Sequence, residues 1–174
     1  QVKDEVQAVL GLIERFYGRF GFGQVRTFLS TRPEKAAGTQ EMWDRAEAGL
    51  REALEGREYE LKEGDGAFYG PKIDFQVTDT MGRSWQLGTC QLDFSMPEKF
   101  DLSYTTADDT EERPVMVHRA VLGSIERFMG ILSEDCGGDF PFWLAPEQVR
   151  VIPVSDRHHD YGRTVRDTLR GRGL

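Results

Sequence analysis

The sequence predicts a fold that mixes helices and strands (α/β in the broad sense, α+β in the strict one). Helices are expected to flank an antiparallel sheet, and the start of a second domain follows. Apolar residues recur at helical spacing in residues 2–20, whereas residues 73–94 alternate between apolar and polar in two adjacent runs. A late apolar run at residues 149–154, followed by a helical pattern at 160–169, is typical of the opening strand and helix of an α/β domain. The 174 residues leave room for one domain and part of another.

Two helices are predicted in the first third of the chain. The apolar repeat at residues 2–20 predicts the first, and Gly21-Phe22-Gly23 is expected to end it before a strand at residues 24–30. Thr39 can cap the second helix, because its hydroxyl can accept a hydrogen bond from the first turn, and Glu41 places negative charge near the positive end of the helix dipole. The second helix should bury a face formed by Trp43, Ala46, Leu50 and Leu54.

The centre of the sheet is predicted to be an antiparallel hairpin. Two extended runs, at residues 73–78 and 84–94, flank a turn at 79–82. On the return strand, alternation places three polar side chains on one face, namely Thr89, Gln91 and Asp93. Such a row is costly to bury without partners, so either a polar small molecule or solvent should face it. Gly88 indicates either a bulge or the close approach of a ligand.

The second half of the chain is predicted to carry a loop, a short strand and a helix. Residues 105–112 are acidic and rich in threonine, which favours an exposed loop. A strand at residues 115–117 should lead into a helix that Cys136-Gly137-Gly138-Asp139 ends. The apolar face of that helix is predicted to consist of Leu122, Ile125, Met129 and Leu132. The domain boundary is predicted to separate residues 1–140 from residues 141–174.

The opposite face of this helix should carry three small residues beside one arginine, namely Ala120, Gly123, Ser124 and Arg127. A solvent-facing surface is normally filled with large charged side chains, so small residues would let a ligand or another surface approach the backbone. Because a guanidinium group is planar and cationic, Arg127 could stack on an aromatic ring such as a purine. The alternative is an exposed arginine on a helix that packs elsewhere.

A Gly-Pro turn and a lone histidine are the other candidate features. The segment Phe68-Tyr69-Gly70-Pro71-Lys72 can hold a phenol and an ammonium group over the end of a sheet. His118 lies at a strand-to-helix junction, where a lone histidine is more typical of a structural residue than of a metal ligand, since zinc needs three or four ligands. His158-His159 are interpreted as exposed loop residues.

Composition narrows the class of protein. The formal net charge of −8 argues against binding nucleic acid through the whole surface, since phosphate binding draws on clustered cations. From Arg157 to Leu174, five arginines stand against two aspartates, a local excess that is also typical of a solvated helix face. Cys90 and Cys136 are isolated, which favours reduced thiols. No apolar run approaches the ~20 residues that span a bilayer, so no membrane partner and a cytoplasmic location are expected.

Several runs resemble the threonyl-tRNA synthetase family, in the order in which that family carries them. The longest covers residues 114–128, PVMVHRAVLGSIERF, and resembles motif 3 of class II synthetases in its threonyl form. The others are residues 29–35, 42–47, 68–72, 88–93 and 140–149, of which the last resembles the entry into an anticodon-binding domain. The resemblance implies an incomplete class II antiparallel sheet, followed by the first strand and helix of that domain.

The resemblance also implies roles for individual residues. Arg127 would be the catalytic residue, stacked on the adenine of ATP, and three further side chains would lie near ATP, namely Gln86, Thr89 and Lys72. Threonine would be bound by Tyr69, Gln91 and Ser124. His118 would be one of three zinc ligands. Zinc in that family reads the amino and hydroxyl groups of threonine together, which distinguishes threonine from isosteric valine, and magnesium accompanies ATP.

The implied reaction has two steps and several partners. Threonine and ATP give threonyl-adenylate and pyrophosphate, and the threonyl group then passes to the terminal ribose of tRNA(Thr). The full-length members of the family are homodimers. The resemblance therefore implies that the chain is part of a threonine-tRNA ligase.

The departures from the family pattern limit what this chain should do alone. The sequence lacks motif 1, which forms the dimer interface in the family, and motif 2, which holds the α-phosphate. It also lacks the zinc Cys and the second zinc His, and both of its ends look cut. The isolated chain is therefore expected neither to activate threonine nor to form the family's dimer, and to have poor solubility because sheet edges are exposed. The alternative is a non-catalytic binding module derived from such an enzyme.

Overall fold

The computed structural model describes residues 2–174. These residues form two compact units, one that ends at Leu132 and one that runs from Ser133 to Leu174. The elements of the first unit are, in order, α1 (Val2–Phe20), β1 (Val25–Ser30), α2 (Gln40–Ala53), β2 (Glu60–Lys62), β3 (Lys72–Thr78), β4 (Ser84–Asp93), α3 (Ser95–Lys99), β5 (Tyr104–Thr105), β6 (Glu111–Glu112), β7 (Met116–Ala120) and α4 (Ile125–Asp135), which continues into the second unit.

A five-stranded sheet organises the first unit in the order β2-β1-β3-β4-β7. Every neighbouring pair is antiparallel except β1 and β2, which run parallel. The predicted α+β class, its antiparallel sheet and the hairpin are therefore confirmed. Along β3 the apolar residues at alternate positions are fully or almost fully buried, namely Ile73, Phe75 and Val77.

Helices α1 and α2 supply a large part of the apolar core. Both bury the faces that helical spacing predicts: Val6, Val9, Leu10, Ile13 and Tyr17 in α1, and Trp43, Ala46 and Leu50 in α2. Thr39 is the N-cap of α2, as predicted, and its side chain accepts a hydrogen bond of 3.3 Å from the backbone N–H of Met42. Burial of these two faces removes apolar surface from water and so stabilises this unit.

A bulge interrupts the β3–β4 ladder. Asp74 pairs with Thr89 and Gln76 pairs with Gln86, so a single residue of β3 lies opposite both Leu87 and Gly88. Gly88 is required here, because a Cβ atom at this position would lie 2.6 Å from the Tyr17 hydroxyl oxygen. The bulge, one of the two interpretations of Gly88, is confirmed, and a side chain of α1 lies close to this glycine.

The turn between β3 and β4 is built around the buried carboxylate of Asp79. It accepts hydrogen bonds from the backbone N–H groups of Met81 and Arg83, from the Arg83 guanidinium at 2.6 Å and from the Trp85 indole at 2.8 Å. Burial by itself would raise the pKa of Asp79, but the bonds from Trp85 and Arg83, together with the charge of Arg83, outweigh it and lower the pKa to about 2.

The predictions for residues 105–112 and for helix α4 were wrong in part. The acidic stretch is not purely loop, because β5 and β6 form a two-stranded antiparallel ribbon within it. Helix α4 begins at Ile125, later than predicted, and buries Phe128, Ile131 and Leu132, whereas Ile125 and Met129 are 57% and 60% exposed. Phe128 sets this face, because its ring packs against three aromatic rings of the first unit, those of Phe16, Phe20 and Phe22.

The small residues before α4 are therefore not on a helix face. Ala120 ends β7, and Gly123 has a φ of 66°, in the left-handed region that favours glycine. Ser124 precedes the helix, and its hydroxyl accepts a hydrogen bond of 3.2 Å from the Arg127 N–H. The turn, and not helical periodicity, brings these residues together.

The second unit contains α5 (His159–Arg170), preceded by one 3-10 turn at Asp156–His158. This confirms the predicted helix. The predicted strand at residues 149–154 is wrong: among residues 2–174 no strand pairs with it, and Val154 is 95% exposed. The end of α4 is as predicted, with Gly137 and Gly138 both at positive φ and their N–H groups bonded to carbonyls of the last helical turn.

Candidate functional site

One face of the sheet is polar, opposite the core. In an antiparallel ladder, paired residues share a face; Lys72 pairs with Gln91, and Gln91 pairs with His118. The same face carries polar side chains from three strands, which together are called the polar face: Lys72, Asp74, Gln76, Gln86, Thr89, Gln91, Asp93 and His118. Six predicted site residues thus meet on or beside this surface, since Tyr69 also reaches it.

A carboxylate lies at the centre of the polar face. Asp74 is 0% exposed, and its Oδ2 lies 2.9 Å from the Lys72 ammonium, while its Oδ1 accepts a hydrogen bond of 2.7 Å from the Gln86 amide. The Ser30 hydroxyl donates to the same carboxylate at 3.4 Å. Asp65, at the rim, lies 3.8 Å from the Lys72 ammonium. Two predicted ATP-side residues are therefore held by one buried anion.

The Gly-Pro turn places a phenol over the polar face. The Tyr69 hydroxyl donates a hydrogen bond of 2.7 Å to Gln91 Oε1, and the Tyr69 ring lies 5.9 Å from that of His118. Gly70 makes this possible, because a Cβ atom there would overlap the carbonyl oxygen of Leu92. The close passage of the turn beside β4 thus brings Tyr69, Gln91 and His118 together.

His118 is oriented by a buried carboxylate. Its Nε2 lies 2.9 Å from Asp93 Oδ2, and Asp93 is fully buried while also accepting hydrogen bonds of 2.9 Å from the N–H groups of Ser95 and Met96. A carboxylate behind one imidazole nitrogen fixes the ring and leaves Nδ1 for another partner. Within residues 2–174, no three His, Cys, Asp or Glu side chains are grouped closely enough to hold a metal ion.

Arg127 and Ser124 lie at the bulge end of the polar face. The Arg127 guanidinium donates a hydrogen bond of 3.2 Å to the carbonyl oxygen of Gln86. Ser124 donates to the Glu126 carboxylate at 2.8 Å, and Gly123 packs so tightly against the Leu87 carbonyl that a Cβ atom would lie 2.6 Å from it. The bulge and the turn before α4 therefore fit together and set the position of Arg127.

Thr89 offers a polar group for a ligand. Its hydroxyl is buried and has no hydrogen-bond partner among residues 2–174. Buried polar groups normally have partners, so one without a partner on a polar face is a place where a polar ligand would gain a hydrogen bond. This observation favours a small molecule, one of the two alternatives for this face, over bulk solvent.

The cysteines take no part in this chemistry. Burial raises the pKa of the Cys90 thiol to about 12, and burial, then the nearby carboxylates of Asp135 and Asp139, raises the pKa of Cys136. A nucleophilic cysteine needs the opposite shift. Both residues are free thiols, as predicted.

Sequence reasoning missed Asp74, which lies on the polar face, and Ser30, which pairs with Lys72 from β1. The alternation along β3 places Asp74 among polar positions, but no local pattern indicates that its carboxylate is fully buried. The useful signal would have been a charged residue between two strongly apolar positions of a central strand, since an aspartate is almost never fully buried without partners.

Comparison with known proteins agrees with this geometry. Residues 1–136 match the family described as tRNA synthetase class II core domain (G, H, P, S and T). The fold and the polar face thus define a class of protein: the chain belongs to the class II tRNA synthetase core-domain family. No helix among residues 2–174 is long and apolar enough to cross a membrane.

Within this family the detailed likeness is to threonine-tRNA ligases. The chain is 56% identical to the threonine-tRNA ligase of Desulforamulus reducens over 98% of its own length and 27% of the relative's, and 56% identical to that of Carboxydothermus hydrogenoformans over 100% and 28%. It therefore spans little more than a quarter of these relatives. A solved structure of the RNA-binding domain of threonyl-tRNA synthetase from Cryptosporidium parvum has a TM-score of 0.94 and 43% identity, over 100% of this chain and 44% of the other.

Proposed function

We propose that this chain forms part of the catalytic unit of a threonine-tRNA ligase, which couples threonine to tRNA(Thr) at the expense of ATP. The observation that carries the proposal is the polar face, where lysine, glutamine, threonine, tyrosine and histidine side chains from separate strands meet in a chain 56% identical to threonine-tRNA ligases. Threonine and ATP give threonyl-adenylate and pyrophosphate, and transfer to the tRNA then releases AMP.

Four residues would act on ATP. Membership in the class implies ATP and magnesium. Arg127, held at the Gln86 carbonyl, would stack on adenine through its planar guanidinium, and it is the residue proposed as catalytic. Lys72 would supply positive charge, Gln86 an amide, and Thr89 a hydroxyl that has no other partner among residues 2–174. Their chemistry fits a polyanionic nucleotide.

Three residues would bind threonine. Tyr69 and Gln91 are already bonded to each other and present a phenol and an amide beside His118. Ser124 would add a hydroxyl from the turn before α4. A pocket of hydrogen-bonding groups rejects valine, because valine would leave those groups unpaired.

The residues present fit zinc in part. His118 would hold the ion through Nδ1, since Asp93 engages Nε2 in the manner of the carboxylates that orient metal-binding histidines. The remaining ligands would lie outside this chain. Bound zinc would supply a Lewis-acidic centre for the amino and hydroxyl groups of threonine. Asp93 and Tyr69 would fix the plane of the His118 ring.

The remaining assignments concern the whole protein. We propose that the full-length ligase is a cytoplasmic homodimer. In it, residues 1–140 belong to the catalytic domain and residues 141–174 form the start of the anticodon-binding domain. The arginines of α5 support contact with tRNA phosphates, because counterion release there favours binding. A non-catalytic binding module derived from such an enzyme is the competing proposal.

The test uses threonine-dependent ATP-pyrophosphate exchange. The 174 residues replace the matching segment of the Desulforamulus reducens ligase, and exchange is compared between this chimera, its Arg127→Ala variant and the 174-residue chain alone. We expect exchange in the chimera only, with threonine and not with valine. A folded chimera that does not catalyse exchange would overturn the proposal and favour the binding module.

A further inference from the structure

A buried carboxylate on the polar face has no place in the roles proposed so far. Asp74 lies on the central strand β3 and is 0% exposed, and both of its oxygens are already engaged by side chains of this chain. Burying an aspartate is costly unless charged and hydrogen-bonded partners compensate. Its partners are therefore the key to what it does.

Both oxygens of Asp74 bind residues proposed to act on ATP. Oδ2 lies 2.9 Å from the Lys72 ammonium, whose side chain is only 15% exposed, and Oδ1 accepts from the Gln86 amide at 2.7 Å. Lys72 is two positions earlier on the same strand and so shares the face of Asp74. Gln86 reaches the carboxylate from β4 because the bulge places it on that face.

A carboxylate suits this position better than an amide. Lys72 and Gln86 both present donors, and only a group with two accepting oxygens and a negative charge satisfies both. The Ser30 hydroxyl lies 3.4 Å from Asp74 Oδ2 and 3.4 Å from Asp65 Oδ2, so its one hydrogen is shared between the two carboxylates. Asparagine would keep one acceptor, so its NH₂ group would face whichever of the two donors the oxygen did not reach.

We propose that Asp74 is the positioning residue of the ATP side, which holds the Lys72 ammonium and the Gln86 amide in the geometry that receives the nucleotide. This inference rests on the proposed function and deepens it. Asp74 acts through Lys72 and Gln86 and touches neither substrate.

The inference makes a distinction between the two substrates. The proposed threonine residues have their own contacts: Tyr69 binds Gln91, and His118 binds Asp93. None of these four side chains is bonded to Asp74. Loss of the Asp74 charge should therefore change the use of ATP and leave the use of threonine unchanged, which a general loss of structure would not do.

The test is exchange kinetics of Asp74→Asn in the chimera with the Desulforamulus reducens ligase. We expect the KM for ATP to rise about tenfold and the KM for threonine to change less than about twofold. Asp74→Glu keeps the charge and should recover most of the ATP affinity. The matched control is Asp79→Asn, a buried carboxylate of the same hairpin that bonds the Arg83 and Trp85 side chains and neither Lys72 nor Gln86; its KM for ATP should not change.

A double variant separates positioning from folding. The double variant, Lys72→Met with Asp74→Asn, should have a higher KM for ATP than Lys72→Met alone, because it also releases Gln86. The increase over the unsubstituted chimera should be smaller than the product of the two single increases. Lys72→Met alone leaves the buried Asp74 carboxylate without its cation, whereas the double variant buries no unpaired charge. If either single variant fails to fold, the double variant is compared with the unsubstituted chimera, and its KM for ATP should rise while its KM for threonine changes less than about twofold.

The outcomes distinguish the two proposals. An unsubstituted chimera without exchange overturns the proposed function and this inference with it. An active chimera in which Asp74→Asn leaves the KM for ATP unchanged, or raises both KM values equally, overturns the inference alone, as does a double variant indistinguishable from Lys72→Met.

Discussion

Replacing Tyr17 with phenylalanine should destabilise the first unit without creating a cavity. The Tyr17 hydroxyl accepts a hydrogen bond from the Gly88 N–H and donates one of 2.7 Å to the Val121 carbonyl, so it joins the bulge of β4 to the turn before α4. Burial, the larger effect, raises the pKa of this phenol above its ordinary value, against the Gly88 bond, so it stays neutral and remains a donor.

The magnitude follows from what the variant leaves behind. A typical hydrogen bond contributes about 1 kcal/mol net, and a buried group left without a partner costs about 1–3 kcal/mol. Because Tyr17 is 1% exposed and its hydroxyl lies between Gly88 and the Val121 carbonyl, Tyr17→Phe should cost about 2–3 kcal/mol. For a chain of this size that corresponds to a fall in Tm of about 4–12 °C.

The assay is urea unfolding of the 174-residue chain, followed by circular dichroism, with Tyr161→Phe as the matched control. Tyr161 is 73% exposed, so its variant should stay within about 0.5 kcal/mol of the unsubstituted chain. A loss below about 0.5 kcal/mol for Tyr17→Phe would refute the reasoning, because it would mean that neither Gly88 nor Val121 depends on the hydroxyl.

Three further predictions concern the hairpin, the turn and the aromatic cluster. The pKa of Asp79 is lowered from 3.8 to about 2, so its stabilising contribution should be complete above pH 3.8 and be lost as the pH falls through 2. The free energy of unfolding, measured as a function of pH, should show this loss, and the Asp79→Asn variant should lack this pH dependence. Gly70→Ala should abolish exchange in the chimera, because the new Cβ atom would overlap the Leu92 carbonyl, and unaltered activity would contradict this geometry. Phe128→Ala should cost about 3–5 kcal/mol in urea unfolding, whereas Ile125→Ala, at a 57% exposed site, should cost far less; equal losses would disprove the assigned face of α4.

Local periodicity was sufficient for the elements that pack one face onto the core. The repeat along α1, the Thr39 cap of α2 and the alternation along β3 and β4 each predict what the structure shows, because a residue's face follows from its spacing along a regular element. The row of Thr89, Gln91 and Asp93 was predicted on the same ground.

Periodicity failed where tertiary contacts set the geometry. Strict alternation along β4 would place Gln86 and Thr89 on different faces of the sheet. Only the bulge between them brings both side chains to the polar face. Helical spacing alone could not select Phe128 as the buried residue of α4, because the selection depends on aromatic rings more than a hundred positions earlier in the chain. The apolar run at 149–154 has the composition of a strand, but a strand also needs a neighbour with which to pair.

The sequence by itself determined the class of fold, the family and the identities of the side chains that carry the proposed chemistry, because these are recorded in local spacing and in motifs. Tertiary structure alone decided that Asp74 is buried beneath Lys72 and Gln86, that Asp93 orients His118, and that Tyr17 joins the bulge to the turn. The physical reason is that hydrogen bonding and charge pairing depend on distance in space, and the partners of a buried polar group come from strands and helices that are distant in sequence.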